Sequence, residues 1–233
     1  MIMKSTAIIL AAGSGKRFNA EKKKQFTELY DKPLLYYSLK AFSESKADEI
    51  IIVTSEADID YVGKDIVKKY EFFKVKDIVS GGNERYDSVY SGLKAVSGDI
   101  CLIHDSARAM INVELINRCI DETLKYRAVV PVVAPKDTIR LRDGEFGGKT
   151  IDRNTLCIIQ TPQCFYTELI KSAFEKMYKT DYKSLGITDD AMVVEKFSDT
   201  KVRLIEGDYK NIKVTTPEDI MIAKTFLDVE NGR

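Results

Sequence analysis

Thr6-Ala-Ile-Ile-Leu-Ala-Ala-Gly-Ser-Gly-Lys-Arg-Phe18 is the stretch that decides the fold. Its first five residues are a short apolar run, which predicts a buried strand. Gly13 and Gly15 then let the backbone turn sharply, and successive N–H groups in such a turn form a concave site for anions. Arg17 and Lys24 place cations directly after the turn. We therefore predict a nucleoside triphosphate site in the loop that follows the first strand.

This loop differs from two familiar phosphate-binding loops. A Walker loop, Gly-x-x-x-x-Gly-Lys-Ser/Thr, would need a glycine at Leu10 and a hydroxyl at Arg17. A dinucleotide-binding loop, Gly-x-Gly-x-x-Gly, would need its third glycine at Phe18, where close packing requires a small residue. The pattern that remains at residues 10–17 is Leu-Ala-Ala-Gly-x-Gly-x-Arg. Taken alone, the motif is also compatible with a glycine-rich turn beside solvated lysines.

Length and composition restrict the class of protein. The 233 residues suit one α/β domain, which we predict to span 1–233. Lys+Arg and Asp+Glu number 36 each, so no overall charge favours nucleic acid or an anionic membrane as a partner. No apolar run has the length of a signal region or a membrane span. The four cysteines form no C-x-x-C pair, so we expect free thiols and a cytoplasmic protein.

Strand-like and helix-like patterns alternate along the chain, which predicts an α/β fold with a mostly parallel sheet and helices on both faces. The predicted strands are 6–10, 49–54, 76–79, 100–104, 128–133, 156–160, 202–206 and 212–214. The predicted helices are 34–42, 59–70, 87–95, 113–124, 166–178, a short one after 188 and one opening at 216–218. Asp31 is the predicted cap of the first helix, with an early proline at Pro33.

The alternation of strands and helices is interrupted at about 137–154. Residues 138–142 alternate apolar and charged side chains, and Asp143-Gly144 is a hairpin turn signal. We therefore predict a projecting two-stranded β-arm. A hairpin by itself is marginally stable in water, so the arm needs a surface to lie against. That surface is either a partner subunit or the same subunit.

Two further groups of polar residues follow predicted strands, where ligands commonly bind in open α/β sheets. Gly81–Asn83 and Ser88 offer backbone groups and a hydroxyl that can recognise a pyrimidine base. Asp105 ends the strand at 100–104, and a carboxylate there can hold a Mg²⁺ ion that also contacts substrate phosphates. His104 is expected to be a structural strand residue. If the attacking group is a phosphate monoester, it is already mostly ionised near neutral pH, since its second pKa is about 6, and no general base is required.

Read together and in order, the motifs resemble those of a known family. They are LAAGSGKRF, KQF, GGNERYDSV, HDSAR, PKDTI, IDRNTL, QTPQ, TDDA and NIKVTTPED. Between about Thr6 and Leu227 the chain is similar to the 2-C-methyl-D-erythritol 4-phosphate cytidylyltransferases of the non-mevalonate isoprenoid pathway. The resemblance implies a Rossmann-like α/β fold, a projecting arm and a homodimer in which the arms interlock.

The resemblance also implies roles for individual residues. Arg17 and Lys24 would stabilise the transition state at the α-phosphorus of CTP, and Asp105 would lie near the ribose and Mg²⁺. The residues that would hold the nucleotide are Ala11, Ala12, Gly13, Gly15, Gly82, Asn83, Ser88 and Ala107. The residues that would hold the acceptor, methylerythritol phosphate, are Arg108, Thr138, Arg153, Thr188 and Lys213. Arg153, at the base of the arm, would reach the site of the neighbouring subunit.

Some positions depart from the family pattern and keep alternatives open. The family usually has proline where this chain has Lys23, so Lys23 and Lys24 are both candidates for the catalytic lysine. Ser106 is more similar to the related ribitol 5-phosphate cytidylyltransferases, whereas Ile151–Asn154 favours the erythritol enzymes. An alternative from another class is a non-catalytic nucleotide-binding protein. Cations at the reacting phosphorus argue against it, since a binding module does not need them.

Overall fold

Strands and helices alternate through residues 3–13 and 23–230, the part of the chain that the computed structural model describes. The strands are β1 (Ser5–Leu10), β2 (Glu28–Leu29), β3 (Lys32–Pro33), β4 (Glu49–Thr54), β5 (Val75–Ser80), β6 (Ile100–Asp105), β7 (Ala128–Val133), β8 (Ile139–Asp143), β9 (Phe146–Ile151), β10 (Ile158–Ile159), β11 (Gln163–Tyr166) and β12 (Arg203–Glu206). The α-helices are α1 (Leu34–Glu44), α2 (Ile59–Tyr61), α3 (Arg85–Ala95), α4 (Val113–Tyr126), α5 (Thr167–Met177), α6 (Asp190–Phe197) and α7 (Pro217–Glu230).

Shorter helical segments complete the described secondary structure. A π-helical stretch, Val62–Lys68, continues α2. Short 3-10 helices occupy Lys24–Phe26, Glu56–Asp58, Arg153–Thr155 and Tyr182–Leu185. Among the helices in the described ranges, none combines the length and the apolar character needed to cross a bilayer.

The main sheet has eight strands in the described part of the chain, in the order β10-β7-β11-β6-β1-β4-β5, with β12 also paired to β7. β1 lies parallel to both β4 and β6, and β4 lies parallel to β5. β12 is parallel to β7, whereas β10 and β11 run antiparallel to their neighbours. The predicted mostly parallel α/β sheet is therefore confirmed.

The apolar run in β1 is buried on both faces of the sheet. Ala7, Ile8 and Ile9 are all fully buried, and successive side chains of a strand point to opposite faces. Ala7 and Ile9 share a core with α1, α4 and the π-helical stretch. Ile8 shares a second core with α3, α5 and α6. Helices cover both faces, as predicted, which explains why the strand carries no polar alternation.

The direction of the strands creates a crevice at one edge of the sheet. β1, β4, β5 and β6 are parallel, so their carboxyl ends meet at that edge. Leu10, the last residue of β1, stands opposite both Val53 and Asp105. From β1 the chain goes to β4 and β5 on one side and returns to β6 on the other. Ligands of open α/β sheets bind where the strand order reverses in this way.

The predicted arm is present as a separate antiparallel sheet of β8 and β9. Gly144 in its turn has φ of 57°, in the left-handed region that glycine enters without a steric penalty. Leu141 and Phe146 are 55% and 80% exposed, so this chain leaves apolar side chains of the arm uncovered.

Two predictions of local structure were wrong and one strand was missed, because long-range contacts override local pattern. Residues 212–214 form no regular strand in the described structure, and the N–H of Val214 donates to the carbonyl of Ala107 instead. Asp31 does not cap α1, because Lys32–Pro33 pairs with β2 and the helix begins only at Leu34. β11, which inserts antiparallel between β6 and β7, was not predicted.

Candidate active site

A cleft of about 480 Å³ opens at the carboxyl ends of β1 and β6. It is formed by five separate segments of the chain. Its lining residues are Leu10, Ala11, Ala12, Gly13, Lys24, Gln25, Gly82, Asn83, Glu84, Arg85, Ser88, Asp105, Ser106, Ala107 and Lys213. Most of the residues predicted to bind the nucleotide, together with Lys24, Asp105 and Lys213, therefore meet in one cavity.

The first wall of the cleft is the segment Ala11–Gly13 after β1, which two hydrogen bonds at Ala11 hold in place. The N–H of Ala11 donates to the carbonyl of Val53 at 2.7 Å. The buried amide of Gln25 donates to the carbonyl of Ala11, also at 2.7 Å. Gln25 thereby fixes the 3-10 helix that carries Lys24 against the turn. The sequence analysis missed Gln25, whose only signal is its place beside Lys24 in the KQF motif.

The structure separates the two candidate lysines. The ammonium of Lys23 lies 2.5 Å from the carboxylate of Asp58 and donates to the hydroxyl of Ser55 at 2.9 Å. Lys23 is thus engaged with the segment that precedes α2. Lys24 lines the cleft. This geometry favours Lys24 as the lysine that can contact a bound phosphate.

The second wall is the glycine pair after β5, where the chain passes very close to its neighbours. A Cβ on Gly81 would lie 2.6 Å from Cβ of Ala12 and 2.8 Å from Oγ of Ser88, so only glycine permits this approach. The hydroxyl of Ser88 accepts a hydrogen bond from the N–H of Gly82 at 3.1 Å. Small residues and one hydroxyl therefore face the space in which we predict the pyrimidine to bind.

Asp105 is the charged centre of the cleft. Its Oδ1 accepts from Nε of Arg85 at 3.2 Å, and its Oδ2 accepts from Nζ of Lys213 at 2.7 Å. Burial by itself would favour the neutral acid. The two neighbouring cations outweigh that effect and hold the pKa of Asp105 well below its usual range. Asp105 is therefore a carboxylate at any physiological pH.

Arg85 and Asp190 form a partly buried ion pair beside Asp105 that was not predicted from the sequence. The two terminal nitrogens of Arg85 donate to the two oxygens of Asp190 at 3.0 and 2.8 Å. Burial raises the pKa of Asp190, and the guanidinium of Arg85 opposes this shift. The two residues lie in the GGNERYDSV and TDDA motifs, but 105 positions separate them, so no local pattern reveals the pair.

His104 is a structural residue, as predicted. Its Nε2 lies 3.3 Å from the carbonyl of Arg108, which can only accept, so Nε2 carries the proton. The hydroxyl of Thr161 lies 3.0 Å from Nδ1 and donates to it. Burial lowers the pKa of His104 to about 3. The imidazole is therefore neutral, and both of its nitrogens have partners.

Arg108 does not line the cleft but holds the segment that carries Lys213. Its guanidinium donates to the carbonyls of Asn211 at 2.8 Å and Ile159 at 3.2 Å. The N–H of Val214 donates to the carbonyl of Ala107 at 2.8 Å. These bonds fix the irregular segment on both sides of Lys213. The predicted contact of Arg108 with the acceptor remains a prediction.

Three further predicted acceptor-binding residues also lie outside this cleft. Thr138 and Thr188 are exposed. Arg153 donates to the carbonyl of Lys136 at 2.7 Å and lines a second cavity of about 370 Å³ at the base of the arm. Gly15 and Arg17 fall outside the described residues.

Asp105 can bind Mg²⁺ only if substrate phosphates and water supply most of the ligands of the ion. Within residues 3–13 and 23–230 there is no group of three or more His, Cys, Asp or Glu side chains arranged to hold a metal ion. Mg²⁺ is commonly bound by one or two carboxylates while substrate phosphates and water supply the other ligands. Asp105 suits this mode.

Comparison with known proteins gives a consistent result across nearly the whole chain. The model of the family described as IspD, 2-C-methyl-D-erythritol 4-phosphate cytidylyltransferase, matches residues 5–229. The enzyme of that name from Lachnospira eligens is 46% identical over 226 residues, covering 96% of this chain and 99% of the relative. Its counterpart from Clostridium perfringens is 46% identical over 227 residues, with coverage of 96% and 99%.

Solved structures agree with the sequence comparison. A 4-diphosphocytidyl-2C-methyl-D-erythritol synthase from Anaerococcus prevotii superposes with a TM-score of 0.84 at 33% identity, covering 97% of this chain and 96% of that one. The 2-C-methyl-D-erythritol 4-phosphate cytidylyltransferase of Thermus thermophilus superposes with a TM-score of 0.77 at 28% identity, covering 94% and 97%. From its match over residues 5–229 and its 46% identity to curated relatives, this chain belongs to the 2-C-methyl-D-erythritol 4-phosphate cytidylyltransferase family.

Proposed function

We propose that this protein transfers the cytidylyl group of CTP to 2-C-methyl-D-erythritol 4-phosphate and releases pyrophosphate. The observation that carries the proposal is the convergence of Lys24, Lys213 and Asp105 beside the small residues of the first turn. Two ammonium groups in one cleft suit a reaction between two phosphate-bearing substrates. The names of the curated relatives favour the same reaction over transfer to ribitol 5-phosphate.

The chemistry follows from the charges in the cleft. An oxygen of the acceptor phosphate attacks the α-phosphorus of CTP and forms a new P–O bond. The bond from that phosphorus to the oxygen that bridges to the β-phosphorus breaks, and pyrophosphate leaves with the electron pair. Lys24, and Arg17 outside the described residues, stabilise the charge that develops. Positioning and charge stabilisation can carry such a transfer without a covalent intermediate.

No general base enters this mechanism. A phosphate monoester is already mostly ionised near neutral pH, because its second pKa is about 6. His104 is neutral and both ring nitrogens have partners, so it is not available to accept a proton. The role of the protein is therefore to hold two anions together in line and to offset their repulsion.

Mg²⁺ is the proposed cofactor, with Asp105 as its protein ligand. When bound, the ion would neutralise charge on the triphosphate. Asp105 is ionised and faces the cleft, which supports this assignment. Lys213, 2.7 Å from Asp105, is the residue beside this ligand that would contact the acceptor phosphate.

We propose that the protein works in the cytoplasm as a homodimer joined through the arm. The exposed Leu141 and Phe146 support the dimer, because a lone hairpin with uncovered apolar side chains is marginally stable. All four cysteines are free thiols, which suits a reducing compartment.

The test is pyrophosphate release from each of the four ribonucleoside triphosphates with each of two acceptors. The acceptors are 2-C-methyl-D-erythritol 4-phosphate and ribitol 5-phosphate, assayed with and without Mg²⁺. We expect release only with CTP and the erythritol phosphate, and loss of turnover when a chelator removes the metal.

Other results would separate the alternatives. Preference for ribitol 5-phosphate would show that the protein is a ribitol 5-phosphate cytidylyltransferase. Binding of CTP without pyrophosphate release for either acceptor would indicate a non-catalytic nucleotide-binding protein. Full turnover in excess chelator would exclude the proposed role of Mg²⁺.

A further inference from the structure

The ion pair of Arg85 and Asp190 joins two elements that are distant in sequence. Arg85 is the first residue of α3, and Asp190 is the first residue of α6. Two hydrogen bonds, at 3.0 and 2.8 Å, connect the planar guanidinium to both oxygens of the carboxylate. The side chain of Asp190 is only 1% exposed. Fork-to-fork contact of this kind fixes direction as well as distance.

A third contact extends this pair into the cleft. Nε of Arg85 donates to Oδ1 of Asp105 at 3.2 Å, and the other oxygen of Asp105 contacts Lys213 at 2.7 Å. The charges therefore alternate from Asp190 through Arg85 and Asp105 to Lys213. Arg85 is the member that touches two carboxylates at once, and it can do so because its donors point in different directions.

The residues next to Arg85 and Asp190 belong to different binding regions, one for the nucleotide and one for the acceptor. Arg85 directly follows Gly82–Glu84, which line the nucleotide side of the cleft. Asp190 directly follows Thr188 and Asp189, and Thr188 is predicted to contact the acceptor. Asp189 caps α6 by accepting from the N–H of Met192 at 2.9 Å. Any shift of α6 relative to α3 would therefore change the separation of the two binding regions.

The start of α6 is held independently from the sheet. The side-chain oxygen of Gln163 in β11 accepts from the N–H groups of Asp190 and Ala191 at 3.0 and 2.9 Å. Its amide nitrogen donates to Asp189 at 2.9 Å. Loss of the charge on Asp190 would thus leave α6 anchored to β11 while releasing Arg85. This separation of contacts makes the role of the pair testable in a folded protein.

We propose that Arg85 and Asp190 act as one positioning pair, which sets the Thr188 segment and the Asp105–Lys213 contact in register with the bound nucleotide. The inference rests on the proposed cytidylyl transfer and adds two residues to it. Lysine cannot replace Arg85, because a point charge does not bond two carboxylates in a fixed fork. Misplacement of reacting groups by about 1 Å can lower turnover about 100-fold.

The test is a double-mutant cycle with Arg85→Lys, Asp190→Asn and the double variant, assayed for cytidylyl transfer. We expect each single variant to lower kcat/KM for the acceptor about 10- to 100-fold, in keeping with the sensitivity of rate to position. The double variant should be no worse than the poorer single variant, because both changes break one contact. Equilibrium binding of CTP without acceptor should fall by less than kcat/KM for the acceptor, since Ala11–Gly13 and Ser88 keep their own contacts.

Glu168→Gln is the matched control, because it removes one carboxylate charge from an exposed ion pair with Arg127 at 3.0 Å. It should leave kcat/KM for the acceptor and the equilibrium binding of CTP unchanged. Thermal unfolding of every variant shows which are folded at the assay temperature. Should Asp190→Asn fail to fold, Arg85→Lys still tests the positioning role. This variant is expected to fold, because it keeps the positive charge and the side chain of Arg85 is 28% exposed.

Three results would overturn the inference: wild-type kinetics for Arg85→Lys, additive losses in the double variant, or a loss confined to CTP affinity. Failure of the wild-type protein to make a cytidylyl product from either acceptor would instead remove the proposed function. The two failures are therefore distinguishable in one set of assays.

Discussion

Lys23 and Lys24 are neighbours with identical side chains, but they contact different parts of the molecule. Lys23 is bound to Asp58 and Ser55, whereas Lys24 lines the cleft. The pair of Lys23 and Asp58 is partly exposed, and such ion pairs contribute about 0–1 kcal/mol. A positive charge beside the reacting phosphorus has a much larger effect on the barrier, because it acts on charge that develops in the transition state.

We therefore expect Lys24→Ala to lower kcat about 100- to 1,000-fold, by analogy with the loss of one oxyanion-hole donor. Lys23→Ala should change kcat by less than about fivefold, as expected for loss of a surface ion pair. Steady-state pyrophosphate release measures both, with thermal unfolding as the control for folding. Full activity in Lys24→Ala together with a large loss in Lys23→Ala would reverse the assignment.

Arg17 lies outside the described residues, and its role stays a prediction from the sequence. Arg17→Ala is expected to fold normally and to lose about 100- to 1,000-fold in turnover, for the same reason as Lys24. Arg17→Lys should also be impaired, because an ammonium cannot replace the planar fork of a guanidinium. The same pyrophosphate assay applies. Normal turnover in Arg17→Ala would exclude Arg17 from the transition state.

The buried side chain of His104 makes the free energy of unfolding depend on pH. Burial lowers its pKa to about 3 in the folded protein, whereas a histidine in an unfolded chain titrates near 6.5. Between these values the unfolded state binds one proton more than the folded state. The contribution of His104 is therefore fully present above about pH 6.5 and is lost as the pH falls towards 3.

The expected difference is measurable with His104→Gln, which cannot titrate. Between pH 7 and pH 5 the free energy of unfolding of the wild type should fall by about 2 kcal/mol more than that of the variant. Urea unfolding in the presence of a chelator tests this without any bound metal. An identical pH dependence in the two proteins would mean that His104 is not held neutral by the fold.

At the scale of elements, two helical glycines differ in what surrounds them. A Cβ on Gly92 of α3 would lie 2.7 Å from Cγ2 of Ile8 in β1 and 3.0 Å from Cγ2 of Val53 in β4. A Cβ on Gly63 would lie 3.6 Å from Cδ1 of Ile78, an ordinary contact. Gly92 therefore allows α3 to pack closely on the sheet beneath the nucleotide side of the cleft. Gly63 has no comparable function in packing.

The two alanine variants should consequently shift stability in opposite directions. Gly63→Ala should stabilise by about 0.5–1 kcal/mol, because alanine has the higher helix propensity. Gly92→Ala should destabilise by about 1–2 kcal/mol, since overpacking of about 1–3 kcal/mol outweighs the same gain. Urea unfolding of both variants provides an internal control. Stabilisation by Gly92→Ala would show that α3 can move away from the sheet without penalty.

At the scale of the whole molecule, the cleft and the arm carry different parts of the predicted site. Lys24 lies in the cleft, while Arg153 lines a separate cavity at the base of the arm. In the proposed dimer, Arg153 of one subunit serves the site of the other. A symmetric dimer would then need both subunits to complete each site.

Mixing two inactive variants tests this arrangement. Lys24→Ala and Arg153→Ala should each be nearly inactive alone. After mixing and exchange of subunits, about a quarter of wild-type activity should return, because half of the dimers are mixed and each has one intact site. Mass spectrometry of intact dimers, with one variant carrying a mass tag, checks that exchange has produced mixed dimers. No recovery among verified mixed dimers would place Arg153 in the site of its own subunit.

The amino-acid sequence predicts the fold class, the arm and, through the motifs it shares with the family, most of the residues that line the cleft. Its information is local. Unbroken apolar runs such as 6–10 identify strands buried on both faces, and small or acidic residues directly after them mark strand ends. Parallel strands bring those ends to one edge, where Gly13, Gly82 and Asp105 meet, and the family resemblance implied their shared role in holding the nucleotide and Mg²⁺. The hairpin signal at Asp143-Gly144 identified the arm in the same way.

Only the tertiary structure decided which lysine faces the cleft, where β11 inserts and how Arg85 is held. Lys23 and Lys24 have the same chemistry, and only the position of Asp58 separates them. Arg85 and Asp190 are 105 residues apart, and residues 211–215 are held by the guanidinium of Arg108 and a backbone hydrogen bond to Ala107 rather than by a strand ladder. Contacts between distant segments leave no periodic pattern along the chain, because their partners are set by packing and not by neighbours in sequence.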